Sequence, residues 1–222
     1  MPQLNLMAGF ERASGGRIVV EGQEVLCPSW ERGVVFQEHA FFPWYTVHQN
    51  ISFGLEVKGV ARHKRARLAR YYIDLVGLNG FEHQYPRELS GGMKQRAGIA
   101  RALAPDPTLL LMDEPFASLD YQNRSLMQDE LLRIWERETK TVVFVTHNID
   151  EAVKLSDRML VLTCRPARVR QIVSVELPRP RDEADPEFLR LKRKIMRELQ
   201  EALAQEQLGA ADDRARAIPL GD

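Results

Sequence analysis

The stretch that decides the fold is Leu109-Leu110-Leu111-Met112-Asp113-Glu114-Pro115. It begins as an apolar run of strand length, and two carboxylates follow directly. In α/β folds, ligands bind beyond the carboxyl ends of buried strands, so this order predicts a ligand site at Asp113 and Glu114. Asp113 is placed to hold Mg²⁺, directly or through water, and Glu114 to orient and deprotonate an attacking water. The alternative is a strand that ends in ordinary acidic turn residues.

A second pattern lies upstream, at Leu89-Ser90-Gly91-Gly92-Met93-Lys94-Gln95-Arg96. Two glycines at the start of a helix expose backbone N–H groups where the helix dipole is positive, which makes a site for phosphate. Ser90 adds a hydroxyl donor. The alternative is a capped helix with a flexible entry, which Ser-Gly-Gly alone would also fit.

Around these motifs, strand patterns alternate with helix patterns. We predict a hairpin at 17–25 with its turn at Gly22-Gln23, strands at 33–36, 108–112, 141–145, 158–162 and 169–175, and helices at 3–10, 61–76, 90–103, 120–138, 148–155 and 186–206. Residues 38–54 are expected to be irregular, and residues 207–222 to form a disordered tail. The alternation indicates a parallel sheet covered on both faces.

The composition is that of a soluble globular protein. Charged residues make up 28% of the 222 residues but cancel to a net charge of zero, which argues against a nucleic-acid binder that relies on a basic face. Cys27 and Cys164 show neither metal spacing nor a disulfide framework. The chain has no apolar run long enough to span a bilayer and no secretory signal, so we expect a cytoplasmic protein that reaches the membrane only through a partner.

Five motifs in order resemble those of the ATP-binding subunits of ABC transporters. They are the signature motif (Leu89–Arg96), the Walker B motif (Leu109–Glu114), the Q-loop (Phe36-Gln37), the D-loop (Ser118-Leu119-Asp120) and the switch histidine (Thr146-His147). The resemblance covers about residues 3–200. It implies an α/β fold with a P-loop-NTPase-like (RecA-like) parallel sheet core and a helical insertion subdomain. We therefore predict a core at 1–49 and 106–180, an insertion at 50–105 that carries the signature motif, and a helical C-terminal extension with a tail at 181–222.

Within this superfamily the chain looks most like the nitrate, sulfonate and taurine importer ATPases. The residues behind this are Phe36–Trp44, Leu103–Pro107, Asp113–Phe116, Leu177–Arg181 and Pro186–Leu189. The resemblance implies ATP hydrolysis that drives uptake of a small anion, with ATP and Mg²⁺ as cofactors. It implies a membrane permease and a second, identical ATP-binding subunit as partners, a solute-binding protein as an indirect partner, and no nucleic acid. The location implied is the cytoplasmic face of the membrane.

The resemblance also assigns roles to single residues. Glu114 would be the general base, Gln37 would help coordinate Mg²⁺ and the attacking water, and His147 would contact the γ-phosphate. Four residues would close on the ATP of the opposite subunit, namely Ser90, Gly91, Gly92 and Gln95. Asp120 would bridge the two subunits, so one copy cannot complete the site.

The phosphate-binding P-loop pattern Gly-x-x-x-x-Gly-Lys-Ser/Thr, the Walker A motif, occurs nowhere in the chain. In the family, a helix follows the P-loop and ends in a stretch like Leu4–Phe10, which aligns Met1 with the serine after the P-loop lysine. We therefore expect a fold that lacks its N-terminal strands and Walker A. Loss of these strands leaves a sheet edge unpaired, so the 222-residue chain alone is expected to be poorly stable or to aggregate.

Two other functions stay open from the sequence. The chain could be a non-hydrolysing remnant, or a subunit that supplies only its signature half-site to an intact partner. It could also be a soluble ATPase of the DNA-maintenance type, although it has no coiled-coil or zinc insertion of the kind those families carry. The aromatic run Phe41–Tyr45 is interpreted either as insertion core or as part of a groove that receives a permease helix.

Overall fold

The computed structural model describes residues 2–37, 40–117, 119–138, 140–163 and 167–216, with side chains described up to residue 201. It divides into two compact units, Met1–Thr146 and His147–Asp222. The elements of the first unit are α1 (Pro2–Ala8), β1 (Val19–Val20), β2 (Gln23–Glu24), β3 (Arg32–Val35), α2 (Val47–Val57), α3 (Arg62–Leu75), α4 (Gly91–Leu103), β4 (Leu109–Asp113), α5 (Tyr121–Glu138) and β5 (Thr141–Val145). Those of the second are α6 (Ile149–Leu155), β6 (Arg158–Leu162), β7 (Val169–Ser174) and α7 (Pro186–Arg216). Predictions that fell on Met1, Glu38, His39, Ser118, Cys164 and 217–222 lie outside the described residues.

The predicted parallel sheet is present in the first unit. Its strand order is β3-β4-β5, and both pairings are parallel. The hairpin is also present, as β1 paired antiparallel with β2, although Gln23 belongs to the second strand and not to the turn. In the second unit, β6 and β7 pair antiparallel with each other.

Helices cover the sheet of the first unit on opposite faces. A Cβ added to Gly33 of β3 would lie 2.7 Å from the carbonyl oxygen of Ala102, so α4 approaches this face closely enough to require glycine. Leu109 and Leu111 lie on the other face, in a buried cluster with Leu4 and Ala8 of α1. Because both faces of β4 are covered, its sequence is a continuous apolar run without alternation.

The expectation that residues 38–54 are irregular is wrong for the second half of that range, because α2 begins at Val47. The Thr46 side chain accepts a hydrogen bond from the backbone of Gln49, and the Gln49 side chain accepts one from the backbone of Thr46. This reciprocal capping box fixes the start of the helix. Ile51 and Leu55 are buried one turn apart, a helical spacing that the neighbouring aromatic residues obscured in the sequence.

The aromatic residues before α2 form a ring cluster, and Asn50 fixes their backbone. Phe42 lies 4.7 Å from Phe53 and 5.4 Å from Tyr45, centroid to centroid. Asn50 is fully buried. Its Nδ2 donates to the carbonyl oxygens of Phe42, Tyr45 and Thr46, and its Oδ1 accepts from the Phe42 amide at 3.0 Å. The sequence does not reveal the role of Asn50, because a single asparagine carries no pattern.

We expect Asn50→Ala to lower the free energy of unfolding by about 2 kcal/mol, because it removes the acceptor of the Phe42 amide and the side-chain donor to the Tyr45 carbonyl. Chemical denaturation followed by tryptophan fluorescence measures the change, since Trp44 belongs to the aromatic segment. Val57→Ala on the same helix is the control, because Val57 is 70% exposed and its truncation should change stability by less than about 0.5 kcal/mol. Equal effects of the two substitutions would contradict the role given to Asn50.

The core of the second unit lies between its hairpin and its helices. The buried residues are Val153, Met159, Val161, Val173, Val175, Phe188 and Ile195.

A disordered tail was expected from residue 207, but the helix α7 continues to Arg216. The expectation is therefore wrong for residues 207–216. Alanine, leucine, glutamine and glutamate predominate after residue 200, and these residues favour a helix although the segment is polar overall.

None of the described helices is sufficiently long and apolar to span a membrane.

Candidate functional site

The carboxyl end of β4 presents the two predicted carboxylates. Asp113 is the last residue of the strand, and Glu114 follows it; both are half-buried. Glu114 has φ +43°, a left-handed conformation that is costly for a residue with a Cβ. Its backbone N–H donates to the Val145 carbonyl at 3.0 Å, which ties it to β5, and Phe116 just beyond it is fully buried. Backbone strain of this kind clusters at functional sites.

Gln37 lies at the same edge of the sheet. Val35, two residues before Gln37, pairs in parallel with Met112, the residue before Asp113. Gln37 is exposed. The backbone of Gln37 therefore follows the same end of the sheet as Asp113 and Glu114.

The oxygen atoms at this edge fit Mg²⁺. No group of three or more histidine, cysteine, aspartate or glutamate side chains that could hold a metal occurs among the described residues. Mg²⁺ bound with a nucleotide usually takes one or two carboxylates, and phosphate and water oxygens fill its other positions. Asp113, together with the amide oxygen of Gln37, is a donor set of that kind.

Arg101 of α4 contacts Ala40 and Phe41, in the segment before α2. The Arg101 guanidinium donates to the Ala40 carbonyl at 2.5 Å and lies 5.1 Å from the centre of the Phe41 ring. Burial lowers the pKa of Arg101. No sequence pattern singles out this arginine, which links Ala40 and Phe41 to the helix that carries the signature motif.

The start of α4 is the second predicted site. Ser90 caps the helix, and its hydroxyl accepts a hydrogen bond from the Met93 amide at 3.4 Å. A Cβ on Gly92 would meet nothing within 4 Å, and one on Gly91 would meet only Leu119, at 3.9 Å. Glycine costs about 1 kcal/mol relative to alanine in a helix, and packing within this chain does not require it here. Bare N–H groups at this end suit a phosphate that approaches from outside.

Gln95 lies one turn further along α4 and is buried, with 1% exposure. Its Nε2 has no hydrogen-bond partner within the described part of the chain. A buried amide without a partner costs free energy. Such a group in a native structure calls for a functional explanation.

Asp120 caps α5. One carboxylate oxygen accepts from the Asn123 amide at 3.0 Å, and the other accepts from Asn123 Nδ2 at 2.6 Å. The hydrogen bond from the Asn123 backbone lowers the pKa of Asp120. Its neighbour Leu119 is the residue closest to Gly91, so the structure brings the Asp120 segment beside the start of α4.

His147 is the first residue of the second unit and is exposed. It follows β5 by two residues. Asn148 then caps α6, with its Oδ1 accepting from the Asp150 amide at 2.9 Å. A histidine between a strand end and a helix cap agrees with the loop position predicted for it, whereas its contact with a γ-phosphate stays a prediction.

Comparison with known proteins agrees with the motifs. The family model described as ABC transporter matches residues 3–117. An uncharacterised ABC transporter ATP-binding protein of Methanocaldococcus jannaschii is 52% identical over 193 residues, which are 87% of this chain and 72% of the relative. The nitrate import ATP-binding protein of Synechocystis is 47% identical over 175 residues (79% and 66%). The aliphatic sulfonates import ATP-binding protein of Bacillus cereus is 40% identical over 197 residues (89% and 77%).

Solved structures show the same fold. A dimeric bacterial ABC transporter cassette superposes with a TM-score of 0.68 at 26% identity, over 80% of this chain and 81% of that one. A dimeric ATP-binding cassette in a post-hydrolysis state, bound to ADP and phosphate, gives a TM-score of 0.66 at 25% identity over the same shares.

Proposed function

We propose, from the premise that this chain belongs to the ABC transporter family of ATP-binding proteins, that it is the ATP-hydrolysing subunit of an importer for a small anion. The observation that carries the proposal is that two consecutive carboxylates, Asp113 and the strained Glu114, lie at the carboxyl end of β4. Gln37 follows the end of the neighbouring parallel strand β3. The nitrate and aliphatic sulfonates import ATP-binding proteins among its relatives support nitrate and sulfonates as the class of solute.

Each residue at the sheet edge has a distinct task in this proposal. Glu114 accepts a proton from the water that attacks the γ-phosphate, because a carboxylate directly after the strand end can act as a general base. Asp113 and Gln37 hold Mg²⁺, which when bound neutralises charge on the phosphate oxygens. His147 donates a hydrogen bond to the γ-phosphate. The loop after β5 places it within a few residues of that strand end.

The start of α4 and Asp120 act on a second copy of the chain. In this proposal the uncovered glycines and the Gln95 amide bind a ligand that the same chain does not hold, namely ATP bound by the opposite subunit. The dimeric cassettes among the structural neighbours support this arrangement. A membrane permease on the cytoplasmic face receives the motion, and a solute-binding protein delivers the anion to the permease.

Hydrolysis also needs a phosphate-binding loop, which this sequence does not contain. The test therefore uses a designed extended chain, in which a β-branched strand of about five residues and the sequence Gly-x-x-x-x-Gly-Lys precede residue 1 and Met1→Ser is made. We expect the extended chain to bind ATP and, when reconstituted with a cognate permease, to hydrolyse it. ATP binding without hydrolysis in the reconstituted complex would overturn the assignment.

Gln95→Leu separates a functional role of this amide from a structural one. It replaces an unpartnered buried amide with an apolar group, so we expect the free energy of unfolding to rise by about 1 kcal/mol. Hydrolysis by the extended chain should fall, because the opposite subunit's ATP loses a donor. A loss of both stability and hydrolysis would show that Gln95 is a packing residue only.

A second candidate is a half-site partner that does not hydrolyse ATP itself. It is favoured by one observation, that the signature helix begins after its Ser90 cap with two glycines that packing within the described residues does not require. The test mixes the 222-residue chain with a second subunit that has a phosphate-binding loop but whose own signature serine is replaced. Restored hydrolysis would support this candidate, and no restoration would exclude it.

A further inference from the structure

The helix α6, which begins two residues after His147, is too short to fix its own position. It has seven residues, Ile149–Leu155, and isolated helices of this length are not stable in water. Its cap, Asn148, is the residue that follows His147. The direction in which the chain at His147 enters the helix therefore depends on the contacts that hold α6 in place. His147, α6 and α7 all belong to the second unit.

The helix α7 covers the apolar side of α6. Val153 of α6 is fully buried, in one cluster with Phe188 and Ile195 of α7. Ile149 and Ala152, nearer the start of α6, pack against the same cluster. Because cores are close-packed, a displacement of α7 is transmitted to α6.

Lys192 of α7 joins the first turn of α6. Its Nζ lies 2.8 Å from Oδ2 of Asp150 and 2.6 Å from Oδ1, and both side chains are only about one-third exposed. Hydrogen bonds between charged groups are stronger than those between neutral ones. The backbone N–H of Asp150 donates to the side chain of the Asn148 cap at 2.9 Å. Lys192 therefore holds the residue that closes the cap directly after His147.

Arg181, shortly before α7, fixes the other end of α6. Its guanidinium donates to the carbonyl oxygens of Val153 and Ser156, each at 2.7 Å. Residues 181–199 thus contact α6 at both ends and along its apolar side. A short helix held at both ends can neither tilt nor slide, so the chain that enters it has a fixed direction.

We propose that residues 181–199 position His147, and that Lys192 is the positioning residue among them. Lys192 acts only through Asp150 and the cap of α6. The inference rests on the proposed function for the task of His147, a hydrogen bond to the γ-phosphate. A displacement of 1 Å in a catalytic group can lower a rate by about 100-fold, so such a donor requires a fixed backbone.

NMR spectra of the His147 ring in the 222-residue chain test the proposal without nucleotide, with His147→Gln to assign the signals. We expect Lys192→Ala to shift the ring signals and to speed amide exchange at Asp150 and Ala152 by at least about 10-fold. Lys192→Arg keeps the cation and should restore both. Lys194→Ala, at an exposed lysine of the same helix, is the control and should change neither. Unchanged ring signals in Lys192→Ala, or equal changes in Lys194→Ala, would overturn the proposal.

A charge swap provides a second, independent readout. Asp150→Lys and Lys192→Asp together restore a pair of opposite charges, so the double variant should recover the ring signals that each single variant loses. Lysine in the first turn opposes the helix dipole, so the recovery is expected in the ring signals and not in the melting temperature. Additive losses in the ring signals would overturn the role of the pair.

The hydrolysis of ATP separates this inference from the proposed function. His147→Ala in the extended chain removes the imidazole and leaves the pair of Lys192 and Asp150 in place. If the ring signals respond to Lys192 as expected but His147→Ala hydrolyses ATP at the unsubstituted rate, the proposed task of His147 fails and its positioning by α7 stands.

Discussion

Glu114→Gln in the extended chain is expected to lower the rate of ATP hydrolysis by at least about 100-fold while ATP binding is retained. The amide has the size of the carboxylate but cannot accept the proton of the attacking water. Because the glutamine keeps the same constrained backbone with φ +43°, the melting temperature should not change. Hydrolysis is measured as phosphate release from the permease complex, and binding is measured with a fluorescent ATP analogue.

The control for this substitution is Glu56→Gln on α2, whose side chain is 64% exposed and pairs with Arg65. This substitution also removes one negative charge, but on a helix outside the sheet edge. The rate of hydrolysis should stay within about twofold of the unsubstituted rate, since exposed ion pairs contribute little to stability. If Glu114→Gln hydrolyses ATP at the unsubstituted rate, another group is the base. A parallel fall in ATP binding would instead assign Glu114 to the metal site.

Arg181→Ala is expected to lower the free energy of unfolding by about 4 kcal/mol, because several buried carbonyls lose a charged donor together. Arg181 is 8% exposed. Its guanidinium donates to the carbonyl oxygens of Val153, Lys154, Ser156, Val175 and Leu177. Desolvation lowers the pKa of Arg181, and the carbonyls at the end of α6 stabilise its charge.

Chemical denaturation measures this loss, and hydrogen exchange locates it. Exchange should speed up first in α6 and β7, whose ends Arg181 joins. Arg181→Lys keeps the charge but reaches fewer carbonyls, so its effect should be intermediate. Arg190→Ala is the surface control, because its side chain is 80% exposed. Comparable effects of Arg181→Ala and Arg190→Ala would show that the carbonyl contacts contribute nothing.

Patterns with a short period were enough to predict most elements. The apolar run before Asp113 and the β-branched run at 141–145 became β4 and β5 as predicted. The signature helix begins at Gly91, one residue after the predicted start, and Ser90 caps it. The element α2 was missed, although Thr46 and Gln49 form a capping box, because the aromatic residues before it masked the helical spacing. The extension of α7 was missed because polarity was taken to indicate disorder.

The sequence by itself determined the family, the order of the motifs and the residue types at the sheet edge, because each is written in consecutive residues. Tertiary structure alone decided three features, since each depends on partners distant in sequence. These are the left-handed backbone of Glu114, whose N–H is held by Val145, the hydrogen bonds from Arg181 to the carbonyls of Val153 and Ser156, and the face of the sheet on which α1 lies. That face follows from which side chains of β4 are left for α1 to bury.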